Sequence, residues 1–298
     1  MKCLVCLFIC VLISNLPAGV PATKVVILGI AQDGGVPHIG CSQEICRTQR
    51  QYVSSLAVIQ GDSVYLIDAT PDLREQYSGL IHRYPNLEKK NLFNGIFLTH
   101  AHMGHYTGLI FLGKESVSTK QVPVYCSEEM GEYLRKNAPW SLLVQNQNIE
   151  IKRLTPGRPV DPGFSIRPVA VPHRREFTDT FGYLIKGSEK TLLYIPDIDA
   201  WEPVRNGLQE WLTQSDFALL DGTFYSGQEL PGRDIRQVPH PTVEHSLSFF
   251  KELPTFKAQV FFTHLNHTNP LLSPESAEKK ELDLTAFRVA RVWQEFSL

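Results

Sequence analysis

Three histidines within six residues mark the segment of this sequence that could do chemistry. His100, His102 and His105 follow a short apolar run at 95–98, which predicts a buried strand. His100 and His102 are two residues apart, so their imidazoles point the same way where the backbone stays extended. Imidazole is the commonest neutral metal ligand, and several that converge on one point suit zinc or non-haem iron. We therefore expect a metal site here, with a solvated histidine-bearing loop as the alternative.

Other polar residues lie at the ends of apolar segments elsewhere in the chain. They are Asp68, His173, Asp197, Asp221 and His264. In layered α/β folds the loops at one edge of the sheets gather into the functional site. We therefore expect these residues to lie beside the histidine segment. Asp68 has two interpretations: it orients a metal-binding histidine, or it caps its own loop.

The apolar segments predict an α/β fold. Strands are predicted at 24–30, 54–59, 63–69, 122–125, 149–154, 165–171, 181–185, 191–195, 216–221 and 259–263. Helices are predicted at 73–84 and 128–136, from Thr242 to 251, and at 275–296. Since no linker or low-complexity run divides the chain, we expect one domain at 23–298.

The composition limits the partners of the protein. Of the 298 residues 43% are hydrophobic, and the formal net charge is −2. The sequence has no basic stripe or charged tail, which argues against nucleic acid or another polyanion as a partner. A small-molecule substrate is the expectation, and the oligomeric state stays open.

The first 22 residues have the layout of a secretory signal peptide. Lys2 precedes a continuous apolar run, and the small residue Ala22 follows a stretch with proline and glycine. The apolar run is shorter than the roughly 20 residues that span a bilayer. We therefore expect cleavage near Ala22, an extracytoplasmic location (periplasmic or secreted), and no stable membrane anchor afterwards. The alternative is a first buried strand.

Cleavage at that point would leave three of the six cysteines, Cys41, Cys46 and Cys126. Three thiols cannot form a disulfide framework. Two interpretations of Cys41 and Cys46 remain open. They form a disulfide in an oxidising compartment, or they hold a structural zinc with His38 as the nearest further ligand.

The spacing His-x-His-x-x-His after a strand resembles the signature of the metallo-β-lactamase superfamily, which is His-x-His-x-Asp-His. Gly104 stands where that signature has its aspartate. The resemblance extends over essentially all of 23–298. It implies an α/β architecture in which two sheets lie between two helical layers, a four-layer αβ/βα sandwich.

The same resemblance implies two sets of metal ligands. The matching residues are His100, His102 and His173 for the first metal, His105 and His264 (rather than His267) for the second, and Asp197 for both. Asp68 matches a strand-end aspartate that orients ligands in the family. Because Gly104 removes a charged ligand from the second set, we expect one tightly bound zinc and a second that is weak or absent.

A narrower resemblance is to the pyrroloquinoline quinone (PQQ) biosynthesis protein B family. The segments that carry it are 34–37 with Cys41 and Cys46, 69–74, 105–109, 180–185, 221–224 and 264–270. Two features depart from that family. Gln43 replaces the middle cysteine of a structural zinc motif, and this chain keeps a His-x-His pair that the family usually lacks. The resemblance implies iron and oxygen chemistry, the hydroxylation of a tyrosine-derived precursor.

The leading hypothesis is a metal-dependent hydrolase. Zinc lowers the pKa of bound water to about 7, and metal-bound hydroxide would attack an ester, a lactone or a phosphodiester. Asp197 would hold the nucleophile, while His105 and His264 position substrate or carry protons. The alternatives are an iron-dependent oxygenase and a non-catalytic binding protein that keeps the fold.

Two further pairs of residues are candidates for lining the cleft. His240 and His245 flank a predicted helix start, where solvent-facing positions are the ordinary alternative. Arg174 and Arg175 could bind an anionic group of the substrate, or they lie solvated at the surface.

Overall fold

Two β-sheets lie face to face in the computed structural model, which describes residues 21–88, 92–229 and 239–298. The predicted signal peptide, apart from Pro21 and Ala22, falls outside the described residues and stays a prediction. Among the helices of the described ranges, none has the length and apolar character to cross a bilayer.

The first sheet contains strands from both ends of the described chain. They are β1 (Thr23–Gly29), β2 (Ser55–Gln60), β3 (Ser63–Ile67), β4 (Gly95–Phe97), β5 (Val122–Cys126), β6 (Ile149–Arg153) and β13 (Glu295–Ser297). Their spatial order is β13-β1-β2-β3-β4-β5-β6. The strands from β3 to β6 are parallel, while β13, β1, β2 and β3 pair antiparallel.

The second sheet is built from the later strands. They are β7 (Ser165–Val171), β8 (Thr180–Lys186), β9 (Thr191–Ile195), β10 (Phe217–Asp221), β11 (Gln259–Thr263) and β12 (Arg288–Val289). Their spatial order is β12-β11-β10-β9-β8-β7. The strands from β9 to β12 are parallel, and β7, β8 and β9 pair antiparallel.

Strands β1 to β4 of the first sheet are buried on both faces, which explains why they are predominantly apolar. Successive side chains of a strand point to opposite faces. On β1, Val25 and Ile27 belong to the core cluster shared with the second sheet. Val26 and Leu28 belong instead to the cluster on the outer face. One strand therefore contributes to two layers of core.

Helices cover the outer faces of the sheets. They are α1 (Glu44–Thr48), α2 (Leu73–Arg83), α3 (Met103–Tyr106), α4 (Glu128–Lys136), α5 (Trp140–Gln145), α6 (Arg205–Gln214), α7 (Val243–Glu252) and α8 (Ala277–Asp283). Leu80 of α2 and Leu134 of α4 pack outside the first sheet, whereas Leu208 of α6 and Phe250 of α7 join the cluster of the second sheet. Two sheets flanked by helices confirm the predicted four-layer architecture.

The predicted C-terminal helix at 275–296 is wrong beyond its first turns. α8 ends at Asp283, and the chain continues into β12 and β13. β12 extends the second sheet beside β11, and β13 pairs with β1 and buries Phe296. This pairing of distant segments outweighs local helix propensity. The sequence also did not predict the helices α1, α3, α5 and α6.

Cys41 and Cys46 form a disulfide, with 6.2 Å between their Cα atoms. This corrects the alternative of a structural zinc site, because disulfide sulfurs are no longer thiolate ligands. His38, the proposed third ligand, stacks on the ring of His267 with 4.3 Å between the ring centroids. Cys126 is a free buried thiol, and burial raises its pKa to about 12.

The carboxyl ends of the parallel strands bring the candidate residues to one edge of the sandwich. Asp68 follows β3, and the histidine segment follows β4. On the second sheet Asp197 follows β9, Asp221 closes β10, and His264 follows β11. The predicted gathering of strand ends is therefore what the fold produces.

Backbone hydrogen bonds join the two sheets at this edge. The N–H of Phe181 donates to the carbonyl oxygen of Thr99 (3.0 Å), and the N–H of Leu265 donates to that of Ile30 (2.7 Å). The hydroxyl of Tyr183 also donates to the carbonyl oxygen of Leu98. The two halves of the site are thus held by direct contacts between the sheets.

Gly108 packs directly against the loop after Asp68, so we expect Gly108→Ala to lower the free energy of unfolding. The N–H of Gly108 donates to Ala69 O (2.9 Å), and a Cβ at this position would lie 2.1 Å from Thr70 O. Such overpacking costs about 1–3 kcal/mol, and each kcal/mol lowers the melting temperature by about 2–4 °C. Calorimetry measures the shift, with the exposed Ser116→Ala as control. Equal melting temperatures would contradict the prediction.

Candidate metal centre

The short strand β4 and the helical turn after it position the three clustered histidines. The backbone at His102 is extended (φ −89°, ψ 149°), and α3 begins at the next residue. His100 and His102 therefore project from an extended segment, as predicted. His105 lies one helical turn further, on α3, and is directed to a neighbouring point.

A first group of donor atoms comes from His100, His102, His173 and Asp197. His102 Nδ1 lies 2.9 Å from His100 Nε2 and 3.0 Å from His173 Nε2. Asp197 Oδ2 lies 3.4 Å from His100 Nε2 and 3.2 Å from His173 Nε2. Tetrahedral zinc bonded at about 2.0–2.1 Å separates its ligands by about 3.3 Å. The four donor atoms therefore fit a single metal ion.

Each histidine of this group has its outer ring nitrogen occupied. His102 Nε2 lies 3.1 Å from Glu176 Oε2, and His173 Nδ1 lies 2.8 Å from Asp199 Oδ1. His100 Nδ1 lies 2.9 Å from the Thr99 hydroxyl oxygen. Such partners fix the ring orientation and leave the other nitrogen free for a metal. Glu176 and Asp199 belong to no sequence motif, and their only signal in the sequence is closeness to His173 and Asp197.

The ionisation of the first group suits metal binding. Burial and the charge of His105 hold the pKa of His100 well below its usual range. Burial also lowers the pKa of His102, so both imidazoles present a neutral nitrogen. Burial would raise the pKa of Asp197, but neighbouring imidazoles, His173 foremost, outweigh it and hold that pKa well below the usual range. The group is three imidazoles and a carboxylate anion.

A second group of donor atoms lies beside the first and consists of Asp33, His105 and His264. Asp33 Oδ1 lies 3.4 Å from His105 Nε2 and 3.9 Å from His264 Nε2. Asp197 Oδ2 is 3.8 Å from each of these nitrogens, so Asp197 borders both groups. His105 and His264 lie where the sequence predicted. Asp33 was missed, because the sequence indicated only a turn-rich loop at 32–37.

Asp68 orients a ring, which is the first of its two interpretations, and its carboxylate caps the loop after β4 instead of its own loop. Its Oδ1 accepts a hydrogen bond from the Thr99 N–H (2.8 Å), which caps the loop after β4. Its Oδ2 lies 2.7 Å from His105 Nδ1, which orients that ring. Burial would lower the pKa of His105, but Asp68 and then Asp33 outweigh it and raise that pKa well above its usual range. The carboxylates around His105 thus favour a positive charge.

His240 extends the cluster on the other side of Asp197. Its Nδ1 lies 2.9 Å from Asp221 Oδ2 and 3.3 Å from Asp197 Oδ1. Burial would lower the pKa of His240, but Asp221 and Asp197 raise it to about 9. His245 does not join the cleft: it is exposed and contacts Glu202. Of these two candidates, His240 therefore lies in the cluster and His245 lies at the surface.

The arginine pair is only partly available to a substrate. Arg175 is paired with Glu129. The Arg174 side chain is exposed, with 3.7 Å from its guanidinium to Glu176. His267, stacked on His38, lies outside both groups of donor atoms, so His264 is the better match to the predicted last ligand.

Comparison with known proteins places the chain in a family. The sequence model of the beta-lactamase superfamily domain matches residues 64–265. The chain belongs to the beta-lactamase superfamily. The matched range contains every candidate ligand of this superfamily site except Asp33.

Individual relatives agree with this assignment. Coenzyme PQQ synthesis protein B of Ectopseudomonas mendocina (strain ymp) is 27% identical over 308 residues, covering 90% of this chain and 97% of that protein. Zinc-bound PqqB from Methylobacterium extorquens superposes with a TM-score of 0.77 at 22% identity, covering 92% of this chain and 100% of that one. A diphosphatase of the PhnP family superposes with a TM-score of 0.69 at 23% identity, covering 93% and 97%. The predicted superfamily is confirmed, and so is the predicted resemblance to PQQ protein B.

We expect Asp68→Asn to weaken metal binding about 10–100-fold, as loss of an orienting carboxylate does at other metal sites. The amide keeps an acceptor for the Thr99 N–H but loses the charge beside His105. Competition with a chromophoric chelator measures the zinc affinity, and circular dichroism checks the fold. Asp62→Asn, in the exposed turn between β2 and β3, is the control. An unchanged zinc affinity in Asp68→Asn would show that this carboxylate only caps the loop after β4.

Proposed function

We propose that the protein is a metal-dependent hydrolase that acts on a small ester, lactone or phosphoester. The observation that carries this proposal is the first group of donor atoms, His100, His102, His173 and Asp197, at tetrahedral spacing. A zinc-bound structure is among the fold relatives, which supports a metal in this protein. When bound, zinc supplies a water of lowered pKa, about 7, and polarises the oxygen of the scissile group.

The burial and contacts of the other residues indicate which of them hold metal. Asp197 holds the centre together, since its Oδ2 faces both groups of donor atoms. The sequence predicts His105 and His264 as ligands of the second metal, or as groups that position substrate or carry protons. The structure favours a metal-binding task for them, because both are fully buried and each has its Nδ1 occupied, by Asp68 and by Thr223.

His240 is better placed to hold a proton near the substrate. Asp221 fixes its Nδ1, and its ring lies at the edge of the cluster with 7% of the residue exposed. General acids of this kind protonate a leaving group. We therefore assign proton transfer to His240 and ligand positions to His105 and His264.

Phosphoesters are the substrate class to test first. A diphosphatase shares the fold over 93% of this chain, and a human tRNase Z shares it over 92% with a TM-score of 0.59. The net charge of −2 does not suit a large polyanion such as RNA, so a small phosphoester is the better fit. The fold alone does not determine a substrate.

A second candidate function is iron-dependent oxygen chemistry. The similarity to coenzyme PQQ synthesis protein B over 90% of this chain favours it. Three imidazoles and a carboxylate also accommodate non-haem iron. Metal identity and the requirement for oxygen distinguish this function from hydrolysis.

The test combines elemental analysis with hydrolysis of nitrophenyl phosphodiesters and esters. We expect zinc in the protein purified without added metal or chelator, loss of activity on chelation, and recovery with zinc in the absence of oxygen. His100→Ala/His102→Ala should lose both metal and activity, because it removes two of four donors. His245→Ala, a surface histidine, is the control. Iron with oxygen-dependent turnover would favour the second function, and a protein without metal would leave a binding protein.

We also propose an extracytoplasmic location. The Cys41–Cys46 disulfide supports it, since disulfides persist in oxidising compartments, and so does the layout of 1–22. The protein isolated outside the cytoplasm should therefore begin at Thr23 by N-terminal sequencing, with Cys41 and Cys46 resistant to alkylation until reduced. A cytoplasmic protein that begins at Met1 and has free Cys41 and Cys46 would overturn the proposal.

A further inference from the structure

Three donor atoms of the second group point at one another, and only Asp197 Oδ2, at 3.8 Å from each imidazole nitrogen, lies beside them as a further ion-pair contact in the described ranges. Asp33 Oδ1, His105 Nε2 and His264 Nε2 are buried and have no hydrogen-bond partner in the parts of the chain that the structure describes. Buried polar atoms are nearly always satisfied, and exceptions indicate an ion or a functional group. The three atoms converge from three separate segments, so their common focus is a binding site and not a local turn.

We infer that Asp33 supplies the carboxylate that the superfamily signature places at position 104, so that a second divalent cation binds between Asp33, His105, His264 and Asp197. This rests on the metal centre of the proposed function but not on hydrolysis. It reverses the expectation that Gly104 leaves the second position weak or absent. Two imidazoles with two carboxylates are a donor set that suits zinc, manganese or iron.

The space beside Gly104 shows why glycine at position 104 accompanies a carboxylate at position 33. A Cβ at position 104 would lie 2.1 Å from Asp33 Oδ1 and 2.7 Å from Asp33 Cα. A side chain at 104 and the carboxylate of Asp33 therefore exclude each other. Glycine at 104 is the condition under which Asp33 reaches the same place.

The backbone around Asp33 is fixed before any metal binds. Gln32 N–H donates to Leu265 O (2.9 Å), and Gly35 N–H donates back to Gln32 O (2.8 Å). Ala31 bridges to Val53 on one side and to Leu265 on the other. Gly35 has φ +66°, a conformation that glycine adopts without strain. The turn therefore aims the Asp33 carboxylate at His105 and His264 at little entropic cost.

The test is the zinc stoichiometry of the full-length protein after metal removal. Calorimetric titration with zinc alone should give two equivalents for the wild type. In Asp33→Asn the first equivalent should bind as in the wild type. The second should bind at least about 10-fold more weakly, because loss of a charged ligand costs at least as much as loss of an orienting partner. Asp72→Asn is the matched control, because Asp72 is half-buried beside the same loop but bonds Val53 N–H (2.8 Å).

A second variant removes no donor atom. Gly104→Ala should displace Asp33 and weaken the second equivalent like Asp33→Asn, with the melting temperature and circular dichroism as checks of the fold. Cobalt titration adds a spectroscopic readout, since the visible bands of the second ion should change in Asp33→Asn and those of the first should not. If Gly104→Ala does not fold, Asp33→Asn decides alone.

The outcomes separate this inference from the proposed function. A wild type that binds one equivalent overturns the inference and leaves a mononuclear hydrolase. An Asp33→Asn protein that binds two equivalents with unchanged affinity also overturns it, because the second cation then does not depend on Asp33. Two equivalents that depend on Asp33, without hydrolysis of any ester tested, support the inference and count against the proposed function. A wild type that binds no zinc or cobalt overturns both.

Discussion

Three carboxylates are buried where the two sheets meet. The rest of the site must supply hydrogen-bond donors or positive charge for them. Asp68, Asp197 and Asp221 are at most 2% exposed, and removing an unpaired carboxylate from water costs several kcal/mol. Backbone N–H groups, hydroxyls and imidazoles surround Asp68 and Asp221. Asp197 Oδ1, in contrast, has an ion-pair contact with His240 Nδ1 at 3.3 Å but no hydrogen bond among the described residues. Positive charge at the centre would therefore neutralise the part of the Asp197 charge that no hydrogen bond of the described residues stabilises.

That requirement explains why the site lies where the strands end. Inside the sandwich the strands are apolar on both faces, and an anion there would lack partners. Beyond the last paired residue, loop N–H groups become available, such as Thr99 N–H for Asp68 and Ile198 N–H for Asp221. Asp68 and His264 also have left-handed backbones, with φ of 65° and 61°. Such strained positions concentrate at functional sites, and here each one turns a side chain into the cluster.

The first group of donor atoms could be predicted from sequence because each member carries its own local signal. His100 and His102 stand two apart after a strand, and His173 and Asp197 close apolar segments whose ends the pattern defines. Asp33 lacks such a signal, since its position depends on contacts between distant segments. The C-terminal strands escaped prediction for the same reason, as their partners lie at the other end of the chain or in the second sheet.

If Asp33 takes the role that the superfamily signature gives to an aspartate on α3, the second metal position depends on the loop after β1. A side chain on α3 would be positioned by a helical turn whose Tyr106 is buried in the core. Asp33 belongs instead to a loop that, with Met103 and Asp72, lines a cavity of about 400 Å³. A small molecule in that cavity would contact the segment that also positions the ligand of the second cation. Because two ligands that act on one segment change each other's binding free energy equally, we expect a molecule bound in that cavity and the proposed second cation to change each other's affinity.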